Sequence, residues 1–378
     1  MTSRPHILHL HSSFAPGGKE ARAVRLMNAW DDRVRHTIVS GVDGHYGARD
    51  GIAAGVPYEI AQDPPPLTGR PSVARYEAIA RYMRRFDLVL TYNWGAIDAV
   101  MARRCFARDM PPLIHHEDGF NQDEAKGLKL ERNLFRRIAL PAAQALVVPS
   151  ELLERIALRA WKQPRERVRR IANGIPVAAF AAKPKPGAIP GFKRKPGEVV
   201  IGTMAGLRAV KALPTLVTAV GGLAKPARLV IVGEGPERAA IEAAARNMGL
   251  ADRVTLPGFL PEPHRYVGLF DIFALSSLSE QFPISVVEAM AAGLPVVAPP
   301  VGDVAAMVAA ENRPYLARTG DAVRIRDALE SFATHAELRA SVGAANRARA
   351  AAHFDEAAMI AAYGALYGEA LGKPDIFA

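Results

Sequence analysis

Short apolar runs alternate with amphipathic stretches along the whole chain. Apolar runs bounded by Gly, Pro or Asp are typical of buried parallel strands, and apolar residues repeating every three to four positions are typical of helices that cover such strands. We predict strands at 6–11, 36–41, 87–92, 112–116, 144–149, 168–172, 198–204, 228–233, 253–256, 271–275 and 295–298. Helices are predicted at 19–30, 72–85, 95–108, 124–139 and 150–161, and they dominate after residue 302. The alternation predicts an α/β protein.

A segment rich in proline and positive charge divides this pattern into two halves. The chain has 378 residues, which is too long for one ordinary core. Residues 176–196 contain repeated proline, lysine and arginine, and such a segment continues neither a helix nor a central strand. We therefore predict a first domain at 1–175, a linker at 176–196, a second domain at 197–355 and a C-terminal helix within 356–378.

The composition indicates a globular protein with an anionic partner. Hydrophobic residues make up 49% of the chain and charged residues 23%, which is not the composition of a disordered protein. The net charge of +10 favours nucleic acid, a membrane surface or a phosphorylated substrate, and nucleic acid is disfavoured because no binding motif accompanies the charge. No apolar run approaches the roughly 20 residues of a membrane span, and no signal-peptide core follows Met1, so we expect a cytoplasmic protein. The single cysteine, Cys105, excludes an internal disulfide and is predicted to be buried on a helix.

The predicted helix at 124–139 combines positive and large apolar residues. They are Lys126, Leu128, Lys129, Leu130, Arg132, Leu134, Phe135, Arg136, Arg137 and Ile138. This composition suits an amphipathic helix that lies on anionic lipid headgroups at the inner face of a membrane. It equally suits an ordinary surface helix with a solvated polar face, and the sequence does not separate the two.

Two glutamates eight residues apart, Glu280 and Glu288, lie between two predicted strands. The helix between these strands is predicted to begin near Pro283, which suits a first helical turn, and to end at Gly293, which suits a C-terminal cap. Free backbone N–H groups and the positive end of the helix dipole at 282–285 favour a phosphate there. Carboxylates beside a phosphate site accept hydrogen bonds from vicinal hydroxyls, as on a ribose and a hexose. The alternative is that Glu280 caps the helix and Glu288 is a solvated helical residue.

Glycines follow two of the other predicted strands. Gly17 and Gly18 lie between a strand and a helix, where backbone approaches a ligand closely and the helix offers its N-terminus to a phosphate. Gly233 and Gly235 form a Gly-Glu-Gly-Pro turn before another helix. Ligands of doubly wound sheets bind outside the carboxyl ends of the strands, so both loops are candidates, although a plain turn explains either pair.

His115, His116, Glu117 and Asp118 follow one another at the end of the fourth predicted strand. Successive strand residues point to opposite faces, so only one of the two histidines is expected to line a crevice. A metal site is disfavoured, because adjacent histidines diverge and the chain lacks an Asp-x-Asp pair of the kind that holds Mg²⁺ or Mn²⁺.

These segments together resemble glycosyltransferase family 4, also described as glycosyl transferases group 1, whose members are retaining enzymes with the GT-B fold. The resemblance is strongest at the Glu-x7-Glu pair and the Ala-Met-Ala-Ala-Gly-Leu-Pro after it, and it extends to the Gly-Gly loop, the segment 201–211 and the Gly-Glu-Gly-Pro turn. It implies two Rossmann-like, doubly wound domains facing across a cleft. It also implies that the helix within 356–378 crosses back to the first domain.

The resemblance assigns a role to each matching residue. Lys211 would neutralise the leaving diphosphate. Glu280 and His115 would position the sugar, and Glu288 would bind the ribose. The implied catalytic residues are Lys211, Arg208, Glu280 and His115. The implied donor-binding residues are Gly17, Gly18, Gly202, Gly233, Gly235, Phe282, Pro283, Ile284, Ser285 and Glu288.

The segment that ends in Lys211 departs from the family pattern. Aligned on this lysine, Ala205 and Gly206 occupy the positions where the family has glycine and arginine. We expect Arg208 to supply the missing charge from a shifted position. If Arg208 does not, the protein holds its diphosphate with one cation fewer.

The implied reaction transfers a sugar from a nucleotide-diphosphate donor to an acceptor hydroxyl with retention at the anomeric carbon. The expected setting is bacterial surface polysaccharide or glycolipid assembly, with a saccharide or lipid-linked acceptor. No metal or other cofactor is expected, because lysine, arginine and helix dipoles supply the positive charge. The alternative is a non-catalytic or regulatory nucleotide-sugar-binding protein of the same fold. A glycosidase is disfavoured because the carboxylates flank a phosphate-type site, and an NAD-dependent oxidoreductase lacks its spaced glycines.

Overall fold

The structure is a computed structural model that describes residues 4–120, 124 and 127–378. It divides into two compact units, one formed by Met1–Asn173 with Ala357–Ala378 and the other by Gly174–Glu356. Each unit contains a parallel sheet, helices and its own apolar clusters. The predicted α/β fold class is confirmed.

The sheet of the first unit is parallel throughout, in the order β3-β2-β1-β4-β5-β6-β7. Its strands are β1 (His6–His11), β2 (Arg35–Ser40), β3 (Tyr58–Ile60), β4 (Leu88–Tyr92), β5 (Leu113–His116), β6 (Ala145–Val148) and β7 (Val168–Arg170). Leu8 and Leu10 belong to one apolar cluster and Ile7, just before them, to another. Because side chains alternate along a strand, apolar residues cover both faces of this sheet.

Helices connect the strands of the first unit. They are α1 (Gly18–Trp30), α2 (Val73–Met83), α3 (Ile97–Cys105), α4 (Leu130–Ala139) and α5 (Glu151–Arg159). Two of them begin at a capping serine, since Ser72 Oγ accepts a hydrogen bond from Arg75 N–H at 3.2 Å and Ser150 Oγ accepts one from Leu153 N–H at 3.0 Å. Such caps fix the residue at which a helix starts.

The sheet of the second unit is also parallel, in the order β10-β9-β8-β11-β12. Its strands are β8 (Val199–Met204), β9 (Ala227–Val232), β10 (Val254–Gly258), β11 (Ile272–Ala274) and β12 (Val296–Val297). Its helices are α6 (Leu213–Gly221), α7 (Arg238–Asn247), α8 (Ile284–Ala291), α9 (Val304–Met307), α10 (Ala322–Thr334) and α11 (Ala336–His353).

The strand order reverses between β1 and β4 in the first sheet and between β8 and β11 in the second. Where the order of a doubly wound sheet reverses, the loops after the two neighbouring strands diverge to opposite faces and leave a crevice at the carboxyl edge. In the second unit these two loops carry Lys211 and Glu280. The topology therefore brings together two residues that lie far apart in the sequence.

The last helix, α12 (Glu356–Ala370), packs on the first unit. Tyr363 and Tyr367 are buried against the sheet. The Tyr367 hydroxyl donates to His116 Nε2 at 2.6 Å, because His116 Nδ1 donates its proton to the Thr91 carbonyl at 3.1 Å. A helix from the end of the chain thus completes the core that the first half begins.

The predicted strands agree with the structure to within two residues at each end. The structure adds β3, which lies at the edge of the first sheet and is too short and exposed to give an apolar run. Helix α4 begins at Leu130 and not at the predicted residue 124. The segment 176–196, predicted to be a linker, lies in the second unit, where Phe180, Ile189 and Phe192 are buried.

Candidate active site

The loops after β8 and β11 are joined by a backbone hydrogen bond. The Leu278 N–H donates to the Val210 carbonyl at 2.8 Å. The first loop continues through a short 3₁₀ turn over Ala209–Lys211 and then through Ala212, whose φ of 46° is in the left-handed region. This tight turn ends the loop and begins α6 directly after Lys211.

Lys211 and Glu280 form an ion pair at this crossing point. Lys211 Nζ lies 2.5 Å from Glu280 Oε1, and the side chains are 14% and 12% exposed. The pair is therefore reachable from solvent but held in a largely desolvated place, where electrostatic interactions are stronger than in water. Two residues predicted to act on opposite ends of a donor are neighbours here.

Two serines at the end of β11 hold this pair. Ser276 Oγ donates to the Lys211 carbonyl at 2.8 Å, and Ser277 Oγ donates to Glu280 Oε1 at 2.7 Å. Both serines are buried. Neither serine stands out in the sequence pattern, although their place just after a predicted strand puts them at the carboxyl edge where ligands bind.

Glycine 302 supports the loop that carries Glu280. Gly302 has φ of +57°, and a Cβ added to it would lie 2.5 Å from the carbonyl oxygens of both Glu280 and Gln281. The next residue, Asp303, donates its N–H to the Gln281 carbonyl at 3.0 Å. Only glycine allows this close approach, so Gly302 belongs to the site although sequence reasoning missed it.

Helix α8 follows Glu280 and contains Glu288. Pro283 is its N-cap and is buried, while Phe282, Ile284 and Ser285 are partly exposed around the first turn. Gly293, with φ of +77°, follows the helix as predicted for a C-terminal glycine. The phosphate site expected at this helix start stays a prediction.

Tyr266 lies near Glu288. Burial raises the pKa of the Tyr266 hydroxyl, and the nearby Glu288 carboxylate raises it further. Glu288 itself is partly exposed in the middle of α8. A partly exposed carboxylate beside a neutral phenol is a suitable acceptor for hydroxyl groups of a ligand.

Arg208 folds back toward the position where the family carries its arginine. The side chain is exposed, and its Nε would lie 3.5 Å from a Cβ added to Gly206. The backbone also turns here, since Arg208 N–H donates to the Gly206 carbonyl at 2.8 Å. The guanidinium thus occupies space next to Gly206.

The three glycines of the β8 and β9 region have packing roles. A Cβ on Gly202, within β8, would lie 2.1 Å from the ring of Phe270, so this glycine makes room for an aromatic side chain and does not face a ligand. A Cβ on Gly233 would lie 1.9 Å from the Ala205 carbonyl oxygen, and one on Gly235 would lie 2.4 Å from that of Leu207. These two hold the loops after β8 and β9 together. The predicted donor contact of Gly202 is therefore corrected.

The Gly-Gly loop of the first unit leads into α1, with Gly17 as the N-cap and Gly18 as the first helical residue. Both glycines are exposed. The carboxylate of Glu20 turns back over this helix start, since its Oε2 would lie 2.6 Å from a Cβ on Gly17. The neighbouring Lys19 donates to the Ser13 carbonyl at 3.2 Å and pairs with Glu20. Burial lowers the pKa of Lys19 to about 8.

The two histidines at the end of β5 are both buried, which corrects the expectation that one lines a crevice. His115 Nδ1 lies 2.8 Å from Thr91 Oγ1, and its Nε2 lies 3.9 Å from Glu117 Oε2. The His115 ring has no exposed surface with which to contact a sugar. Among the described residues, no group of three or more His, Cys, Asp or Glu side chains is placed to hold a metal ion.

Asp118, which follows these histidines, pairs with Arg22 of α1. Arg22 Nη2 donates to Asp118 Oδ2 at 2.9 Å, and Arg22 Nη1 donates to Asn173 Oδ1 at 3.0 Å. Burial favours the neutral acid, yet the guanidinium outweighs it and lowers the pKa of Asp118. This ion pair joins the loop after β5 to α1 of the same unit.

Helix α4 turns arginines inward and exposes apolar residues, whereas a helix that binds anionic lipid through its charges is expected to expose its arginines. Arg136 is fully buried, with its Nε 3.2 Å from Glu117 Oε2 and its guanidinium 5.0 Å from the Trp94 ring. Arg132 pairs with Glu124 at 2.9 Å. The apolar residues Leu130, Leu134 and Ile138 are instead exposed, at 86%, 57% and 43%.

Two further expectations for the first unit concern Lys126 and Cys105. Lys126 of the basic cluster lies outside the described residues. Cys105, predicted to be buried, is exposed because it is the last residue of α3 and lies on the solvent side. In the part of the chain that the structure describes, every helix is too short or too polar to cross a bilayer.

The fold is similar to that of solved structures. A crystal structure of the Anabaena protein HepE (Alr3699) in complex with UDP and glucose superposes with a TM-score of 0.76 at 20% identity, covering 97% of this chain and 100% of that one. This likeness defines the fold class as GT-B.

Family models then assign the chain within that class. The model for Glycosyltransferase Family 4 matches residues 16–179, and the model for Glycosyl transferases group 1 matches residues 188–349. The chain belongs to glycosyltransferase family 4, as the sequence resemblance implied.

Curated relatives match over part of their length. The 2-deoxystreptamine glucosyltransferase of Streptomyces kanamyceticus is 36% identical over 134 residues, which are 34% of this chain and 35% of that protein. The N-acetyl-alpha-D-glucosaminyl L-malate synthase of Bacillus anthracis is 27% identical over 162 residues, 43% of this chain and 41% of that protein. The chain spans about half of the length, or less, of the curated relatives it matches first.

Proposed function

We propose that this protein transfers a sugar from a nucleoside-diphosphate donor to an acceptor hydroxyl, with retention at the anomeric carbon and without a metal ion. The observation that carries this proposal is the Lys211–Glu280 pair at the point where the strand order of the second sheet reverses. A cation and a carboxylate side by side, next to the start of a helix, fit a ligand that has a diphosphate at one end and hydroxyls at the other.

The chemistry proposed for this pair is electrostatic. As the bond between the sugar and the diphosphate breaks, negative charge grows on the departing phosphate, and the Lys211 ammonium together with the first turn of α8 stabilises it. Glu280 accepts hydrogen bonds from sugar hydroxyls and fixes the ring. The departing phosphate oxygen takes the proton of the acceptor hydroxyl on the same face of the sugar, which gives retention.

Glu288 is proposed to bind the ribose of the donor. Its carboxylate is partly exposed and lies near the neutral Tyr266 phenol, and a carboxylate is the type of group that accepts hydrogen bonds from vicinal hydroxyls. Its position on α8 places it on the same helix whose start is proposed to face the diphosphate. A single short helix would then contact both the phosphate and the ribose.

The absence of the family arginine at position 206 favours a second candidate, a protein that binds nucleotide sugars without turning them over. The position of Arg208 argues against this alternative, because its guanidinium reaches back to the space beside Gly206. A guanidinium there supplies a second cation for a diphosphate. We therefore assign Arg208 to the leaving group together with Lys211.

The acceptor is proposed to be a saccharide or a lipid-linked molecule, with the protein peripheral to a membrane. The support for a membrane is now the exposed row of Leu130, Leu134 and Ile138 on α4, since Arg132 and Arg136 point inward. Residues four apart on a helix share one face, so these three side chains form one apolar stripe. Single exposed leucines are common, but a stripe of this kind calls for a partner.

Calorimetry with UDP-, GDP- and ADP-sugars tests donor binding. We expect one nucleotide class to bind, and Glu288→Ala to weaken both the nucleotide sugar and the free nucleoside diphosphate. Glu337→Ala, an exposed position in the first turn of α11, is the matched control. If no member of the panel binds, the proposed function is wrong.

Turnover tests the reaction itself. With the donor found by calorimetry, NMR of the product is expected to give the same anomeric configuration as the donor, and EDTA is expected to leave the rate unchanged. Inverted product, or loss of activity in EDTA that added metal restores, would contradict the mechanism. Binding without turnover across saccharide and lipid-linked acceptors would favour the non-catalytic candidate.

A further inference from the structure

One oxygen of Glu280 has two partners in the second unit. Oε1 accepts a hydrogen bond from the Ser277 hydroxyl at 2.7 Å and one from the Lys211 ammonium at 2.5 Å. For Oε2, no hydrogen bond to another described residue is formed. The carboxylate is thus anchored through one oxygen, and no hydrogen bond from the described residues occupies the other.

The two partners of Oε1 differ in what a donor would do to them. A diphosphate attracts the Lys211 ammonium, which has to leave Glu280 wholly or in part to neutralise it. The Ser277 hydroxyl is neutral and gains little from turning to a phosphate that already has a cation. Ser277 is also fully buried in the loop after β11, whereas the Lys211 ammonium is at the end of a long, flexible side chain.

We propose that Ser277 is a positioning residue that keeps Glu280 oriented toward the donor sugar when Lys211 turns to the diphosphate. This inference rests on the proposed function. The hydroxyl donates to the carboxylate without neutralising it, so Glu280 keeps its full charge for the sugar hydroxyls. Without Ser277, the carboxylate would follow Lys211 toward the phosphate or rotate into solvent.

The adjacent serine has a different task, which provides an internal comparison. Ser276 Oγ donates to the Lys211 carbonyl at 2.8 Å and so fixes the backbone of the lysine. Loss of Ser276 is expected to affect binding of the diphosphate whether or not a sugar is attached. Loss of Ser277 is expected to affect only a ligand that carries the sugar.

The test compares two ligands on four proteins by calorimetry. The ligands are the nucleotide sugar that binds the wild-type protein best among UDP-, GDP- and ADP-sugars, and the matching nucleoside diphosphate. Ser277→Ala is expected to weaken the nucleotide sugar about tenfold, as for a lost hydrogen bond to a charged group, and to leave the nucleoside diphosphate within about twofold. Ser276→Ala is expected to weaken both ligands alike, and Ser277→Thr, which retains the hydroxyl, to restore the nucleotide sugar.

Other outcomes overturn the inference. Equal weakening of both ligands by Ser277→Ala, or no weakening, would mean that Ser277 only maintains the fold. If Ser277→Ala does not fold, as judged by thermal unfolding, Ser277→Cys and Ser277→Thr give the same contrast, because cysteine keeps the size and loses the strong donor. Failure of the wild-type protein to bind any nucleotide sugar would remove the proposed function. Binding by the wild-type protein without the expected difference between the serine variants would remove only this inference.

Discussion

Lys211 Nζ lies 2.5 Å from Glu280 Oε1, between loops that are 69 residues apart in sequence. If Lys211 stabilises the leaving diphosphate, Lys211→Ala should lower the transfer rate by about 100- to 1,000-fold, as for removal of one transition-state donor. The measurement is the steady-state rate with the donor found by calorimetry. Lys225→Ala, at an exposed lysine of the same unit, should retain the wild-type rate. A Lys211→Ala enzyme with wild-type rate would exclude this role.

Arg208 is expected to replace the arginine that the family has at position 206. Arg208→Ala should lower affinity for the nucleoside diphosphate about tenfold, as for loss of one charge-assisted contact. Adding Gly206→Arg to this variant should restore the affinity, because a Cβ at Gly206 has no described atom closer than 3.5 Å other than its chain neighbours. Calorimetry with the nucleoside diphosphate measures both. Unchanged affinity in Arg208→Ala would mean that Arg208 does not replace the family arginine and that the protein binds the diphosphate with one cation fewer.

Gly302→Ala should damage the site through the loop it supports. Alanine at φ of +57° is strained by about 1 to 2 kcal/mol, and its Cβ would also meet the Glu280 carbonyl at 2.5 Å. Gly249→Ala is the matched control, because Gly249 has φ of +64° and nothing lies within 4 Å of its added Cβ. Both variants should lower the melting temperature, but only Gly302→Ala should weaken the nucleotide sugar. Equal binding by the two variants would mean that the loop shifts without moving Glu280.

The first unit should lose stability in mild acid. Burial lowers the pKa of His36 and of His116 to about 3, and burial also holds the pKa values of His9 and His11 well below the ordinary value. Between about pH 3 and pH 6.5 the unfolded chain binds protons that the folded chain does not, so the free energy of unfolding falls as the pH drops below 6.5. Each such histidine contributes about 1.4 kcal/mol per pH unit in this range.

Urea unfolding at pH 7.5 and 5.5 measures this loss. His36→Phe should reduce the difference between the two pH values, even if it lowers stability at both. His335→Gln, at an exposed histidine of the second unit, should leave the difference unchanged. A pH-independent unfolding free energy would contradict the assignment of neutral, buried histidines.

The stripe on α4 should mediate any binding to lipid. Leu130→Ser combined with Leu134→Ser should reduce sedimentation with vesicles that contain anionic lipid, because the buried apolar area falls. Val323→Ser, at a residue 54% exposed on α10, tests whether any exposed apolar residue has this effect. Wild-type protein that remains in the supernatant with such vesicles would remove the support for peripheral membrane binding.

Much of the fold and part of the site follow from local pattern. The strands were predictable because each is an apolar run between turn residues, and the edge strand β3 was not, because it is short and mostly exposed. Lys211 was predicted from the family resemblance of segment 201–211, and Glu280 from its place before a helix between two strands. Both lie in loops at the carboxyl ends of strands, which a doubly wound sheet gathers at one edge. Their direct pairing needed the strand order, which sequence pattern alone does not give.

The errors concern residues whose environment comes from distant parts of the chain. Gly202 looked like a ligand contact, but its place is set by Phe270, 68 residues later. Arg136 looked solvated, yet two carboxylates and a tryptophan enclose it. His115 lies at a strand end, yet its ring is fully buried beside Thr91 of the neighbouring strand. In each case the partner that decides exposure is brought by the tertiary structure.

The return of α12 to the first unit has a consequence for synthesis of the protein. Tyr363 and Tyr367 cover a core whose strands are all translated before the second unit, and the second unit is one uninterrupted segment. The second unit is therefore able to fold before the first unit is complete. Until α12 has been translated, the histidine-rich interior of the first unit lacks this cover and exposes apolar surface that favours aggregation.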